Sequence, residues 1–125
     1  MDEQHFSFQN RLRSFLYAFR GIKHTFKTQH NLCIHCFAAI TVIIISAILD
    51  ITLTEWCLII FACGLVICAE IFNSAIEKLT DLVSPERNEA AGYVKDIAAG
   101  AVLVAAIVAV IIGAIIILNN VKICF

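Results

Sequence analysis

The sequence predicts an all-α integral membrane protein, with an N-terminal amphipathic surface helix followed by three transmembrane helices in a single domain, 1–125. Three observations predict it. Apolar residues make up 61% of the chain and charged ones 15%, far from the balance of a soluble domain. Charge-free runs cover 32–49 and 97–118, each long enough to cross a bilayer. Between them lies an apolar run that ends in a patterned set of polar groups, Glu70, Asn73, Glu77 and Asp81.

The first helix is expected over 6–28. Phe8, Leu12, Phe15, Phe19, Ile22 and Phe26 recur at alternating spacings of four and three, the stripe of an amphipathic helix. Arg11, Arg13, Arg20, Lys23 and Lys27 lie largely off that stripe. An aromatic face opposed to a basic one suits the anionic cytoplasmic surface of a membrane, and the same stripe can pack on the bundle as a lid. The region lacks the short apolar core and small-residue cleavage site of a removable signal peptide.

The span 32–49 carries one ionisable group besides its two thiols, His35. Asp50 to Glu55 makes an acidic turn, and Trp56 is placed as an interfacial anchor. The next apolar run, 56–69, has fourteen residues and is too short to cross alone. Its helix must therefore continue through the polar residues, giving a second membrane helix over 56–83. Ser84-Pro85 ends it, because the residue before proline is pushed out of the helical region. Residues 86–96 form a charged connection or the start of a new amphipathic helix, and 97–118 is the third span. Gly92, Gly100 and Gly113 predict tight packing within or between chains.

Flanking bases set the orientation. Five Lys/Arg precede the first span, the first turn has none, and Arg87 and Lys95 occupy the second connection. The positive-inside rule puts the N-terminus and the 84–97 connection in the cytoplasm. The chain has six cysteines; Cys33, Cys36, Cys57, Cys63 and Cys68 lie in or beside apolar segments and read as small hydrophobes. Cys33-Ile34-His35-Cys36 lacks the second ligand pair of a metal site.

On a helix turning about 100° per residue, Glu70, Asn73, Glu77 and Asp81 fall at roughly 0°, −60°, −20° and +20°, one narrow face. The fourteen apolar residues before Glu70 cover roughly 21 Å of a hydrocarbon core about 30 Å thick. Glu70 therefore sits near the inner boundary, and Glu77 lies roughly 10 Å further on, in or near water. Such a face can relay protons, bind a divalent cation, activate a lipid hydroxyl, or lock the bundle by interhelical hydrogen bonds. Phosphoryl transfer needs a base, a metal ligand and a phosphate cation, for which Glu70, Glu77 and Lys95 are candidates. No glycine-rich phosphate loop is present, which excludes the familiar soluble kinase folds.

The string Glu70-Ile-Phe-Asn73-Ser-Ala-Ile-Glu77-x-x-x-Asp81, then Ser84-Pro85-Glu86, then Ala91-Gly92-x-x-Lys95-Asp96 resembles the prokaryotic diacylglycerol kinase family, which includes undecaprenol kinases. Tyr17, Gly21 and the Asn31-x-x-Ile34-His35 entry to the first span extend the resemblance over nearly the whole chain. It implies a homotrimeric, multi-pass lipid kinase of the bacterial inner membrane that uses ATP and Mg2+ on diacylglycerol or undecaprenol, with no nucleic-acid partner. By resemblance, Glu70 is the proton acceptor and Glu77 a metal and nucleotide ligand. Tyr17, Glu86, Arg87, Asn88, Lys95 and Asp96 are nucleotide contacts, and Asn73 and Asp81 are supporting polar residues. Ser84-Pro85-Glu86 and Asn31-x-x-Ile34-His35 look slightly closer to the polyprenol branch, though spacing does not separate the two lipids.

Two departures stand out. Gln29 occupies the place of a second metal-binding glutamate, and Asn10 that of a basic substrate contact for which Arg11 or Arg13 can substitute. Gln29 is the best support for the alternative reading, a non-catalytic or nucleotide-binding membrane adaptor retaining the kinase fold.

Overall fold

A computed structural model describes residues 7–125, and it is built of four helices: α1 Phe8–Thr28, α2 His30–Ile48, α3 Leu53–Val83 and α4 Glu89–Cys124. The expected first residue of the amphipathic helix, position 6, lies outside the described residues. The three later helices are long and apolar enough to span a membrane.

Helix α1 leaves Phe8, Phe15 and Phe19 exposed, the disposition of a helix whose apolar face meets lipid at an interface. It touches the bundle through its last turns. Thr25 is its buried residue, and its hydroxyl donates to the Gly21 carbonyl at 2.9 Å. Gln29 joins α1 to α2 in an extended conformation, φ −118° and ψ 106°, so the chain turns a corner in one residue.

Helix α2 ends in a turn that explains why Ile51 is buried. Asp50 adopts φ 52°, a left-handed position that Asp tolerates better than most residues. The Asp50 amide then reaches the Ala47 carbonyl at 3.4 Å and the Ile51 amide reaches the Ser46 carbonyl at 3.5 Å, the paired bonds of a Schellman stop. The residue that follows the left-handed one is apolar, as this motif favours, and it drops into the core.

Helix α3 begins with a capping box. The Thr52 hydroxyl accepts from the Glu55 amide at 3.3 Å, while the Glu55 carboxylate accepts from the Thr52 amide at 2.9 Å, satisfying two otherwise orphaned donors. The helix therefore starts at Leu53, ahead of the apolar run. Its 31 residues at about 1.5 Å each give roughly 46 Å, well beyond the hydrocarbon thickness of about 30 Å. The excess is long enough for the later polar residues of the helix to extend past a hydrocarbon core of that thickness.

Helix α4 starts at Glu89, where the Asn88 side chain accepts from the Ala90 amide at 2.8 Å, a side-chain N-cap. Residues 89–96 are thus the first two turns of a 36-residue helix. Of the two readings open for that charged segment, the helix start is the one adopted.

The buried cluster Ile51, Ile59 and Ile116 lies at the α2–α3 turn, with Val42, Leu49, Trp56, Cys63 and Ile112 packed against it. Trp56 is half-buried against this cluster and is a packing residue as much as an interfacial anchor. Beside it the Asn120 amide donates to Glu55 at 3.1 Å and to the Ile116 carbonyl at 2.8 Å, tying the start of α3 to the end of α4. Close packing at glycine within one chain is not found: a methyl group at Gly92, Gly100 or Gly113 would meet nothing within 4 Å. The five cysteines read as small hydrophobes are all free thiols.

Ile59 is 1% exposed, so Ile59→Ala removes packing that surrounding side chains only partly recover. The substitution is expected to cost about 2 kcal/mol or more, measured by reversible unfolding in mixed detergent micelles.

Candidate active site

The polar face of α3 becomes more exposed along its length. Glu70 is 3% exposed and Asn73 8%, Glu77 is half-buried, and Asp81 is exposed. Their shared face follows from helical spacing; the gradient follows from how far each residue lies from the packed middle of the bundle.

Glu70 is held from a second helix. His35 Nε2 of α2 lies 3.1 Å from Glu70 Oε1. An ionised carboxylate only accepts hydrogen bonds, so the imidazole nitrogen is the donor. One turn on, the Ser74 hydroxyl donates to the Glu70 main-chain carbonyl at 2.9 Å, which leaves the Glu70 carboxylate to the imidazole. Asn73 differs: its Oδ1 is buried without a hydrogen-bond partner among the described residues. A buried amide oxygen left open in this way is an acceptor in search of a donor or a cation.

Helix α4 contributes a cation. Lys95 Nζ donates to Asp81 Oδ1 at 2.5 Å, with 40% and 65% of the two side chains exposed. At that exposure the pair adds little to stability, and its consequence is to fix an ammonium beside the outer part of the polar face. Helix α1 reaches the same region, where the His24 imidazole contacts the Lys78 ammonium, next in sequence to Glu77.

An apolar cavity of about 390 Å³ runs between α2, α3 and α4 from His35 past Ala39, Val42, Ile59 and Val66 to Gly113. Apart from the Cys63 thiol, His35 is the polar member of its lining. The imidazole that holds Glu70 thus borders a space that water does not favour.

The remaining expected residues are less gathered. Tyr17 is exposed on α1, Glu86 and Arg87 are exposed in the connector, and Asp96 is exposed on α4. Asn88 spends its side-chain oxygen on capping α4. Gln29 is half-buried at the α1–α2 corner. Three pairings went unread in the sequence, His35 with Glu70, Lys95 with Asp81 and His24 with Lys78; each depends on the relative rotation of two helices, which periodicity along one helix does not convey.

Among the described residues no group of three or more His, Cys, Asp or Glu is placed to hold a metal. Magnesium keeps several waters and is commonly bound by one or two carboxylates plus substrate phosphates. Glu77 fits as such a carboxylate, and the open Asn73 oxygen lies one turn away on the same face.

A bundle of three spans with an ionisable carboxylate sunk between its helices, and a cation fixed further along the same face, has the make-up of a small integral membrane enzyme. The sequence profile of the prokaryotic diacylglycerol kinases matches residues 16–117, and the chain belongs to that family. It is 38% identical over 106 residues to an undecaprenol kinase of Bacillus subtilis, covering 85% of this chain and 86% of that one. It is 41% identical over 105 residues to a diacylglycerol kinase of Synechocystis, covering 83% of this chain and 60% of that one. Against the diacylglycerol kinase of Escherichia coli K12 it is 34% identical over 95 residues, 76% of this chain and 78% of the relative. The class is that of lipid kinases.

Proposed function

We propose that this chain transfers the γ-phosphoryl group of ATP to the hydroxyl of undecaprenol or diacylglycerol at the cytoplasmic face of a bacterial inner membrane, its N-terminus on the cytoplasmic side. The observation that carries the reading is Glu70, a carboxylate 3% exposed on a helix that runs out of the lipid. A base needed only for aqueous chemistry has no reason to be buried there.

Glu70 accepts the proton of the lipid hydroxyl as its oxygen bonds to the γ-phosphorus. The bond between that phosphorus and the β–γ bridging oxygen breaks, and ADP leaves with the electron pair. Lys95, steadied by Asp81, lies where an ammonium can meet phosphate oxygens arriving from the cytoplasm. Tyr17, Glu86, Arg87, Asn88 and Asp96 complete the nucleotide contacts, Asn88 through the amide nitrogen its cap leaves free. Glu77 would hold Mg2+, with Gln29 and the Asn73 oxygen as neutral donors. Magnesium supplies charge neutralisation on the transferring group. The working unit in this reading is a homotrimer, for which the unfilled space at Gly92 and Gly100 leaves room between copies.

Purified protein given labelled ATP and equal mole fractions of undecaprenol and diacylglycerol tests the function directly. Undecaprenol is expected to be labelled faster, in keeping with the Asn31-x-x-Ile34-His35 entry; a large preference for diacylglycerol would reverse that choice. Labelling of neither lipid by folded protein would falsify the kinase reading.

Glu70→Gln keeps the shape of the side chain but accepts no proton. Turnover should fall by about 10²–10⁴-fold, the usual worth of a general base, while ATP binding measured by equilibrium titration stays near that of the parent. Turnover within a few-fold would move the proton acceptor elsewhere.

Gln29 brings an oxygen without charge to the place where a carboxylate is expected. Gln29→Glu should therefore reach half-maximal rate at lower magnesium than the parent. Superimposable magnesium titrations at saturating lipid would put Gln29 away from the metal.

A further inference from the structure

We propose that His35 is a positioning residue of the phosphoryl transfer: its Nε2–H locks Glu70 Oε1 and leaves Oε2 to take the proton of the lipid hydroxyl. The inference rests on the reading of Glu70 as base and adds a partner on another helix.

The geometry is specific. The 3.1 Å contact joins α2 to α3, with the Glu70 side chain 4% exposed and that of His35 26% exposed. A free carboxylate rotates about its terminal bond with little resistance, because such sp3–sp2 torsions are broad. Glu70 has few other constraints: among the described residues no second side chain bonds its carboxylate, and the amide oxygen of Asn73 one turn on is an acceptor that offers it nothing. The imidazole is what selects one rotation. Nucleophile, base and orienting group form the general arrangement by which a base is aimed.

Both the neutral Nε2–H tautomer and the imidazolium donate to Oε1. His35 thus keeps its proton throughout; the hydroxyl proton goes to Oε2 of Glu70 and leaves from there to water after ADP departs. The setting strengthens the bond. The Glu70 end of the bond is buried, its side chain 4% exposed, and a hydrogen bond in a low-dielectric setting orients more firmly than one in competition with water.

Glutamine at this position presents its amide nitrogen close to where the imidazole Nε2 stands, whereas asparagine is too short. His35→Gln should keep kcat within a few-fold of the parent, and His35→Asn should lower kcat about 10²-fold, the scale of a misplaced reacting group, with KM for lipid and ATP little changed. Both variants are polar and remove the same ring, so a merely structural role would move them together. If H35N does not assemble, H35L replaces it as the variant without a donor.

The proposal is overturned if the donor-less variant turns over within threefold of the parent, if His35→Gln is as slow as His35→Asn, or if the whole effect lies in the lipid KM. Glu70→Gln run alongside separates the two ideas. An active Glu70→Gln removes the base and His35's task with it; a silent Glu70→Gln beside a normal His35→Asn removes only the role of His35.

Discussion

The rest of the bundle answers to the burial of one carboxylate. A charge taken out of water is costly unless it is hydrogen-bonded or paired, and Glu70 is 3% exposed on a helix of 31 residues. The helix must therefore be long, so that its polar face continues outward to water. Helix α2 must be rotated so that His35 meets Glu70. Helix α4 must begin early enough for Lys95 to stand beside Asp81, which the Asn88 cap arranges by starting it at Glu89. Each of these local choices makes sense only in relation to the buried acid.

Much of this is legible in the residues themselves because membrane crossing imposes lengths. A fourteen-residue apolar run cannot cross alone, so the continuation of α3 through Glu70, Asn73, Glu77 and Asp81 follows by arithmetic, and the shared face follows from the helical repeat. The stop at Ser84-Pro85 is equally local, and α3 ends at Val83. What depends on two helices at once is not legible. The pairing of His35 with Glu70 and of Asn120 with Glu55 spans 35 and 65 residues of sequence and is set by helix rotation. The glycines leave their partner open for a related reason: small residues permit close approach without requiring it, and within one chain the space beside them is empty.

The two ends of the molecule are built on different principles. At the α2–α3 turn, backbone hydrogen bonds, a capping box and a cluster of isoleucines close the structure, and among the described residues the Ser46 hydroxyl is buried there without a partner. At the other end, an open amide oxygen, exposed acids and an exposed connector leave polar groups uncommitted. Stability is drawn from one end and chemistry from the other, a division expected where binding segments come from the less stable parts of a fold.

That division has a spectroscopic corollary. The chain has a single tryptophan, Trp56, and it packs at the closed end against Ile51, Ile59 and Ile116. Its emission therefore reports on a region about four helical turns from Glu70, fourteen residues back along α3, at a distance of roughly 21 Å. A fluorescence change on adding nucleotide would not be a contact signal. It would mean that occupancy at one end is transmitted along α3 to the other, and a steady emission would mean that the isoleucine end behaves as a rigid anchor while the site fills.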